Sequence, residues 1–139
     1  LRKNDVVLID MGMKYQGYCS YLTRTFLPKK AAAEQIAVHA KVAAAQKAAI
    51  CEMKAGVRVA KLDRTARKAM GDMAEFFTHA LGHGLGLEIH EAPRLSIKSR
   101  EILKENAVVT VEPGIYLPGK FGVRIEDMVH VKKRGFSIL

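Results

Sequence analysis

The chain has 139 residues, 49% hydrophobic and 27% charged, enough apolar side chains for one domain with a real core and unlike disordered or fibrous compositions. Its formal charge of +9 invites a polyanion partner, but Lys41, Lys47, Lys54, Lys61, Arg64, Arg67 and Lys68 are spread through Ala-rich helical sequence, where a solvated helix face accounts for them. Only Lys132-Lys133-Arg134 forms a run, so nucleic acid is not an expected partner.

From the front, Val6 to Asp10 is apolar and β-branched, Lys14 to Gly17 is turn-like, and Tyr18 to Leu27 is rich in Thr, Tyr and Phe, which predicts a β-hairpin. Pro28 ends it. From Ala31 to Met53, Ala, Lys, Gln and Glu dominate with apolar residues at helical spacing, predicting a long helix that stops before Gly56. Val59 to Phe77 predicts a second helix with Leu62, Ala66, Ala69, Met70 and Met73 on one side. Gly82, Gly84 and Gly86 then crowd around His79 and His83, marking a tight backbone path. Val108 to Tyr116 and Gly122 to Val131 read as a second hairpin turning over Leu117 to Lys120. The two hairpins suggest a sheet whose central strands come from both ends of the chain, and the class is α+β. The longest apolar runs are too short to cross a bilayer and no signal segment opens the chain, so a soluble, cytoplasmic protein without a membrane partner is expected. Cys19 and Cys51 are expected to be buried or half-buried thiols.

Asp10, Glu112 and Glu126 are carboxylates inside strand-like, otherwise apolar sequence, where an unpaired charge is costly. Singly, each has an ordinary explanation: Asp10 ends a strand, Glu112 precedes a proline, and Glu126 pairs with neighbouring Arg124. Together with His83 in its glycine-rich bend, they offer oxygen and imidazole donors from separate elements, a set suited to Mn, Co, Fe(II) or Zn.

Ile9-Asp10-Met11-Gly12, Thr23-Arg24-Thr25-Phe26, His79-Ala80-Leu81-Gly82-His83-Gly84-Leu85-Gly86, Ile89-His90-Glu91, Val111-Glu112-Pro113-Gly114-Ile115-Tyr116 and Gly122-Val123-Arg124-Ile125-Glu126-Asp127 resemble, in order, the motifs of pita-bread (creatinase/aminopeptidase-fold) metallopeptidases of the prolidase and Xaa-Pro aminopeptidase branch. The resemblance implies a partial pita-bread fold, a curved antiparallel-rich sheet with helices packed on one face, with residues 1–139 forming the C-terminal major part of the catalytic domain. It places Asp10, His83, Glu112 and Glu126 on metal-ligand positions, His79 and His90 on the histidines that bind substrate and stabilise the reacting carbonyl, and Arg124 on a supporting arginine. The implied reaction is hydrolysis of an N-terminal Xaa-Pro bond by a metal-activated water, with Glu112 as proton shuttle, one or two divalent ions as cofactor and a proline-containing peptide as substrate.

Two departures modify that expectation. Tyr21 stands where the family has its second aspartate, and a phenol with pKa near 10 is a poor substitute for a bridging carboxylate; one ion keeps His83, Glu112 and Glu126, while a second keeps only Asp10 and Glu126. The family's preceding helices, a further substrate-binding histidine and any N-terminal domain lie outside the sequence, so apolar surface is expected to be covered by another copy or another domain. An impaired Xaa-Pro exopeptidase is the leading expectation, and a non-catalytic pita-bread binding module is the alternative.

Overall fold

A computed structural model describes residues 1–139. The first hairpin pairs β1 (Val7–Tyr15) with β2 (Tyr18–Phe26) in antiparallel register, Asp10 opposite Thr23 and Gly12 opposite Tyr21. Two helices follow, α1 (Ala33–Cys51) and α2 (Val59–Met70). Seven strands complete the chain: β3 (Gly82–Gly84), β4 (Glu91–Leu95), β5 (Val108–Val111), β6 (Gly114–Leu117), β7 (Phe121–Arg124), β8 (Asp127–Val131) and β9 (Phe136–Ile138). The α+β class read from the sequence is the one observed.

Helix α1 buries Val38, Val42, Ala45, Gln46, Ala49 and Ile50, the spacing of one helical face. Against them pack Val109, Val111, Ile115, Val123, Val129 and Val131 from the core faces of the strands, with Leu62, Ala66 and Met70 of α2. The second helix is shorter than the sequence suggested. It stops at Gly71, whose φ is 60°, and the chain continues as a 3₁₀ segment over Gly71–Phe76. Ala69 is exposed there, and Cys51 is exposed as well, contrary to expectation.

The strands do not form one sheet drawn from both ends of the chain. A five-stranded sheet runs β4-β3-β5-β8-β9, built wholly from the C-terminal half, and β1-β2 and β6-β7 are separate ladders. A single β-bridge, Thr23 to Glu126, joins the first hairpin's ladder to the other strands, and side-chain bonds add further ties. The expected second hairpin is also interrupted, between Val111 and Gly114 on one side and between Arg124 and Asp127 on the other. Its register nevertheless runs through: Val111 faces Asp127 and Gly114 faces Arg124, so Glu112 lies opposite Glu126 and Pro113 opposite Ile125. Proline has no N–H to give the ladder, and the break falls where it sits. No helix is long and apolar enough to cross a membrane.

Candidate metal centre

Side chains alternate across a strand, and the interrupted hairpin keeps that alternation through its break. Val109, Val111, Ile115, Val123 and Val129 face the core; Thr110, Glu112, Tyr116, Arg124 and Glu126 face the other way. Two glutamates opposite one another are repulsive in an antiparallel pair, which makes this the least expected place in the sheet for them unless something positive lies between. The backbone N–H of each reaches outward, Glu112 to the Leu81 carbonyl at 2.8 Å and Glu126 to that of Thr23 at 3.1 Å. The glutamate pair is thereby joined to the histidine segment on one flank and to the first hairpin on the other.

On the first flank, His83 is the middle residue of β3 and has glycine on both sides because two strands press against it. A Cβ on Gly82 would lie 2.0 Å from the Thr110 carbonyl oxygen, and one on Gly84 2.3 Å from that of Ala92. His83 Nδ1 lies 2.9 Å from the Gly84 carbonyl; donating there fixes the tautomer and leaves the Nε2 lone pair facing Glu112, 3.4 Å from its Oε1. One donor atom from each of His83, Glu112 and Glu126 falls within 4.8 Å of the others. Thr110 joins two of these residues, its hydroxyl donating to Glu112 Oε1 at 3.2 Å and accepting the His83 N–H at 3.0 Å.

On the second flank, Thr23 donates its hydroxyl to Glu126 Oε2 at 2.6 Å. Arg24 bonds the Glu126 carbonyl at 2.6 Å and pairs with Asp127, and the Thr25 hydroxyl exchanges bonds with the backbone of Arg124. These three consecutive residues hang the hairpin over the glutamates. Asp10 does not join the three-residue cluster. Its carboxylate is held by the Arg124 guanidinium, so Arg124 pairs with Asp10 and not, as its sequence position suggested, with Glu126. Tyr21 presents its ring edge-on to His83 with centroids 6.0 Å apart.

His79, His83, His90, Glu112 and Arg124 line a cleft of about 540 Å³. His90 is exposed and sits edge-on to His83, centroids 4.4 Å apart. His79 has both ring nitrogens engaged: Nδ1 lies 2.8 Å from the Ala80 carbonyl and Nε2 2.8 Å from the Tyr116 hydroxyl. Arg124 donates to that same hydroxyl at 3.1 Å, so a relay runs from Asp10 through Arg124 and Tyr116 to His79.

The model of metallopeptidase family M24 matches residues 1–133. The chain belongs to family M24. Among its relatives, an uncharacterised peptidase of Methanocaldococcus jannaschii is 49% identical over 97% of this chain and 40% of its own length. A Xaa-Pro dipeptidase of Pyrococcus horikoshii is 42% identical over 97% of this chain and 39% of its own. Among solved structures, prolidase from Pyrococcus furiosus superposes with a TM-score of 0.97 at 41% identity, covering 99% of this chain and 42% of that one. X-Pro aminopeptidase from Thermotoga maritima gives 0.95 at 45%, covering 99% and 40%. The chain thus spans about two fifths of the length of the relatives it matches, and the pita-bread architecture is shown across it.

The charges of this M24 centre explain its need for a cation. Burial, and next the neighbouring Glu126 charge, push Glu112 from the ordinary 4.5 to about 7. Burial likewise raises Glu126, against the Thr23 hydrogen bond, and lowers His83, which favours the neutral imidazole a metal needs. Two carboxylates made reluctant to ionise beside a neutral imidazole form a donor set that a divalent ion fits and completes. A stability test follows. A carboxyl raised in the folded state binds more protons there than in the unfolded state, so its contribution is full below about pH 4.5 and is lost as pH rises through about 7. Relative to Glu112→Gln, the metal-free protein should lose about 2–3 kcal/mol over that window, read from urea melts at both ends, and saturating Mn(II) should remove the loss.

Several residues of the M24 centre escaped the sequence reading. Asp63 is fully buried on the packed face of α2, accepting Arg67 Nε at 2.6 Å and the Leu81 N–H at 3.2 Å. Arg67 is therefore no part of a solvated helix face: its other nitrogens bond the Phe77 and His79 carbonyls, both at 2.8 Å, and its guanidinium lies 4.3 Å over the Phe77 ring. Together they fix the histidine segment from behind. An acidic residue at helical spacing with Val59, Leu62 and Ala66 was the available signal, the same one that drew attention to Asp10. Thr23, Thr110 and Tyr116 gave none, since Thr and Tyr are ordinary strand residues.

Proposed function

We propose that this chain is the metal-binding part of an Xaa-Pro exopeptidase working with one tightly held divalent ion on His83, Glu112 and Glu126. The observation that carries the reading is the convergence of those three donors, at a break in the sheet, on a cleft open to a peptide. Mn, Co, Fe(II) and Zn all suit the oxygen-rich set. A bound ion supplies Lewis acidity and makes hydroxide available near neutrality. Glu112, beside the ion, takes the proton of the attacking water and passes it to the leaving imide nitrogen of the proline. His90, exposed on the cleft wall, donates to the oxygen of the scissile carbonyl, and His79 braces the opposite wall through Tyr116 and Arg124. The substrate class follows from kinship with proteins named prolidase, Xaa-Pro dipeptidase and X-Pro aminopeptidase.

The outward face of the first hairpin exposes Ile9, Met11, Met13, Tyr15 and Tyr18, which supports cover by a second copy or a further domain. Tyr21 and the capture of Asp10 by Arg124 favour the second reading, a module that binds peptide without cleaving it. Purified protein titrated with Mn(II) and Co(II), with metal content and Xaa-Pro hydrolysis followed in the same samples, separates the two. Binding with hydrolysis supports the enzyme, binding without hydrolysis the disabled form, and no binding the interaction module. In an active preparation, Glu112→Gln at saturating metal should lower kcat about a thousandfold, the loss of a proton shuttle; a change under tenfold would remove Glu112 from that role.

A further inference from the structure

Pro113 lies opposite Ile125 in the interrupted hairpin, and that position exchanges hydrogen bonds across the strands. The Ile125 N–H reaches the Pro113 carbonyl at 3.4 Å, but the return bond cannot form, because proline carries no N–H. The Ile125 carbonyl is thus robbed of its ladder donor immediately before Glu126, and an unpaired carbonyl in a packed interior is costly.

Gln46 supplies the missing donor. Its side chain rises from the packed face of α1, only 8% exposed, and its amide nitrogen lies 3.3 Å from the Ile125 carbonyl, 3.1 Å from the Val111 carbonyl and 3.0 Å from Asp127 Oδ2. Val111 immediately precedes Glu112 as Ile125 immediately precedes Glu126. One carboxamide therefore clips both strands at the residue before each glutamate, from the side of the sheet opposite the cleft. Two like-charged side chains facing one another tend to splay their strands apart, most of all where the ladder has lost a bond, and the clip opposes that.

We infer that Gln46 is a positioning residue for the metal centre: by replacing the hydrogen bond that Pro113 withholds, it sets the spacing between Glu112 and Glu126. This rests on the single-ion reading above for its functional weight, and on geometry alone for the clip.

The test is a rescue. Gln46→Met keeps length and apolar bulk but has no donor; Pro113→Ala in that background returns an N–H opposite the Ile125 carbonyl. Gln46→Met should weaken Mn(II) binding by 10- to 100-fold, in the range of residues that hold metal ligands in place, and should speed hydrogen exchange of the Ile125 amide at least tenfold in metal-free protein. The double variant should recover most of both. Loss of affinity in Gln46→Met without recovery in the double variant would mean that Gln46 does not act by replacing the bond Pro113 withholds, and overturns the inference. So does unchanged affinity together with unchanged exchange. If the unsubstituted protein binds no Mn(II), the single-ion reading fails, and the exchange measurement alone decides whether the clip exists. Should Gln46→Met not fold, Gln46→Glu replaces it: a carboxylate set against two carbonyls and Asp127 should open the same break, again with recovery by Pro113→Ala.

Discussion

Tyr21→Asp should raise the tightly bound divalent ions from one per chain to two and increase Xaa-Pro hydrolysis at least tenfold, equivalent to about 1.4 kcal/mol of barrier. Tyr21 lies opposite Gly12 on β2, two residues before Thr23 and on the same side of the strand, so its side chain reaches toward Asp10 and the glutamates. Burial, then Asp10 and Glu126, raise its phenol above the ordinary 10; it stays neutral and offers an ion little. A carboxylate in its place would complete, with Asp10 and Glu126, a second anionic donor set beside the first and draw Asp10 away from Arg124. Without metal, the same change crowds a fourth carboxylate into the site, so Tyr21→Asp should also melt earlier in chelator and later in Mn(II) than the unsubstituted protein. Metal analysis, kinetics and melting together check this. Unchanged stoichiometry would put the limit outside Tyr21 and leave the peptide-binding module as the better reading.

Asp63→Ala should cost about 3 kcal/mol of stability, because removing one partner of a buried ion pair strands the other. Asp63 is fully buried and Arg67 largely so, with side chains 0% and 26% exposed. The loss also takes one of two acceptors from the Leu81 N–H, two residues from His83, leaving it the Leu95 carbonyl at 2.8 Å. Denaturant melts measure the cost. Asp63→Asn, which keeps an acceptor for Leu81 but no charge for Arg67, should fall between; full stability in Asp63→Asn would show that charge pairing contributes nothing.

Much of this molecule was legible in its residues. The first hairpin, the long helix and the late hairpin follow from local composition, and the donors His83, Glu112 and Glu126 stood out as polar groups where apolar ones belong. What stayed hidden depends on contacts that no local pattern carries. The helical reading of Gly71 to Phe77 overlooked how one glycine with positive φ redirects the chain. Pairing Glu126 with Arg124 took nearness in sequence for nearness in space, although alternation sends both side chains to the face where Asp10 and Thr23 compete for them. Gln46 lies in an Ala-rich stretch where glutamine is simply a good helix former, and only the register of Pro113 against Ile125 gives it a task.

The attachment of the first hairpin has a consequence for how the protein opens and closes. Thr23 meets Glu126 across 103 positions of sequence and Asp10 meets Arg124 across 114, whereas His83, Glu112 and Glu126 all belong to the C-terminal half. Contacts that close such long loops form late in folding. The hairpin has its own complete ladder but is tied to the sheet chiefly along β2, through Thr23, Arg24 and Thr25, so β1, on its outer side, is the strand freest to fray without disturbing the three donors. An ion on those donors would slow amide exchange in β5 and β8, and through Thr23 in β2, while leaving β1 nearly as labile as before, so that Asp10 travels on a leaf of the structure that the first ion does not pin.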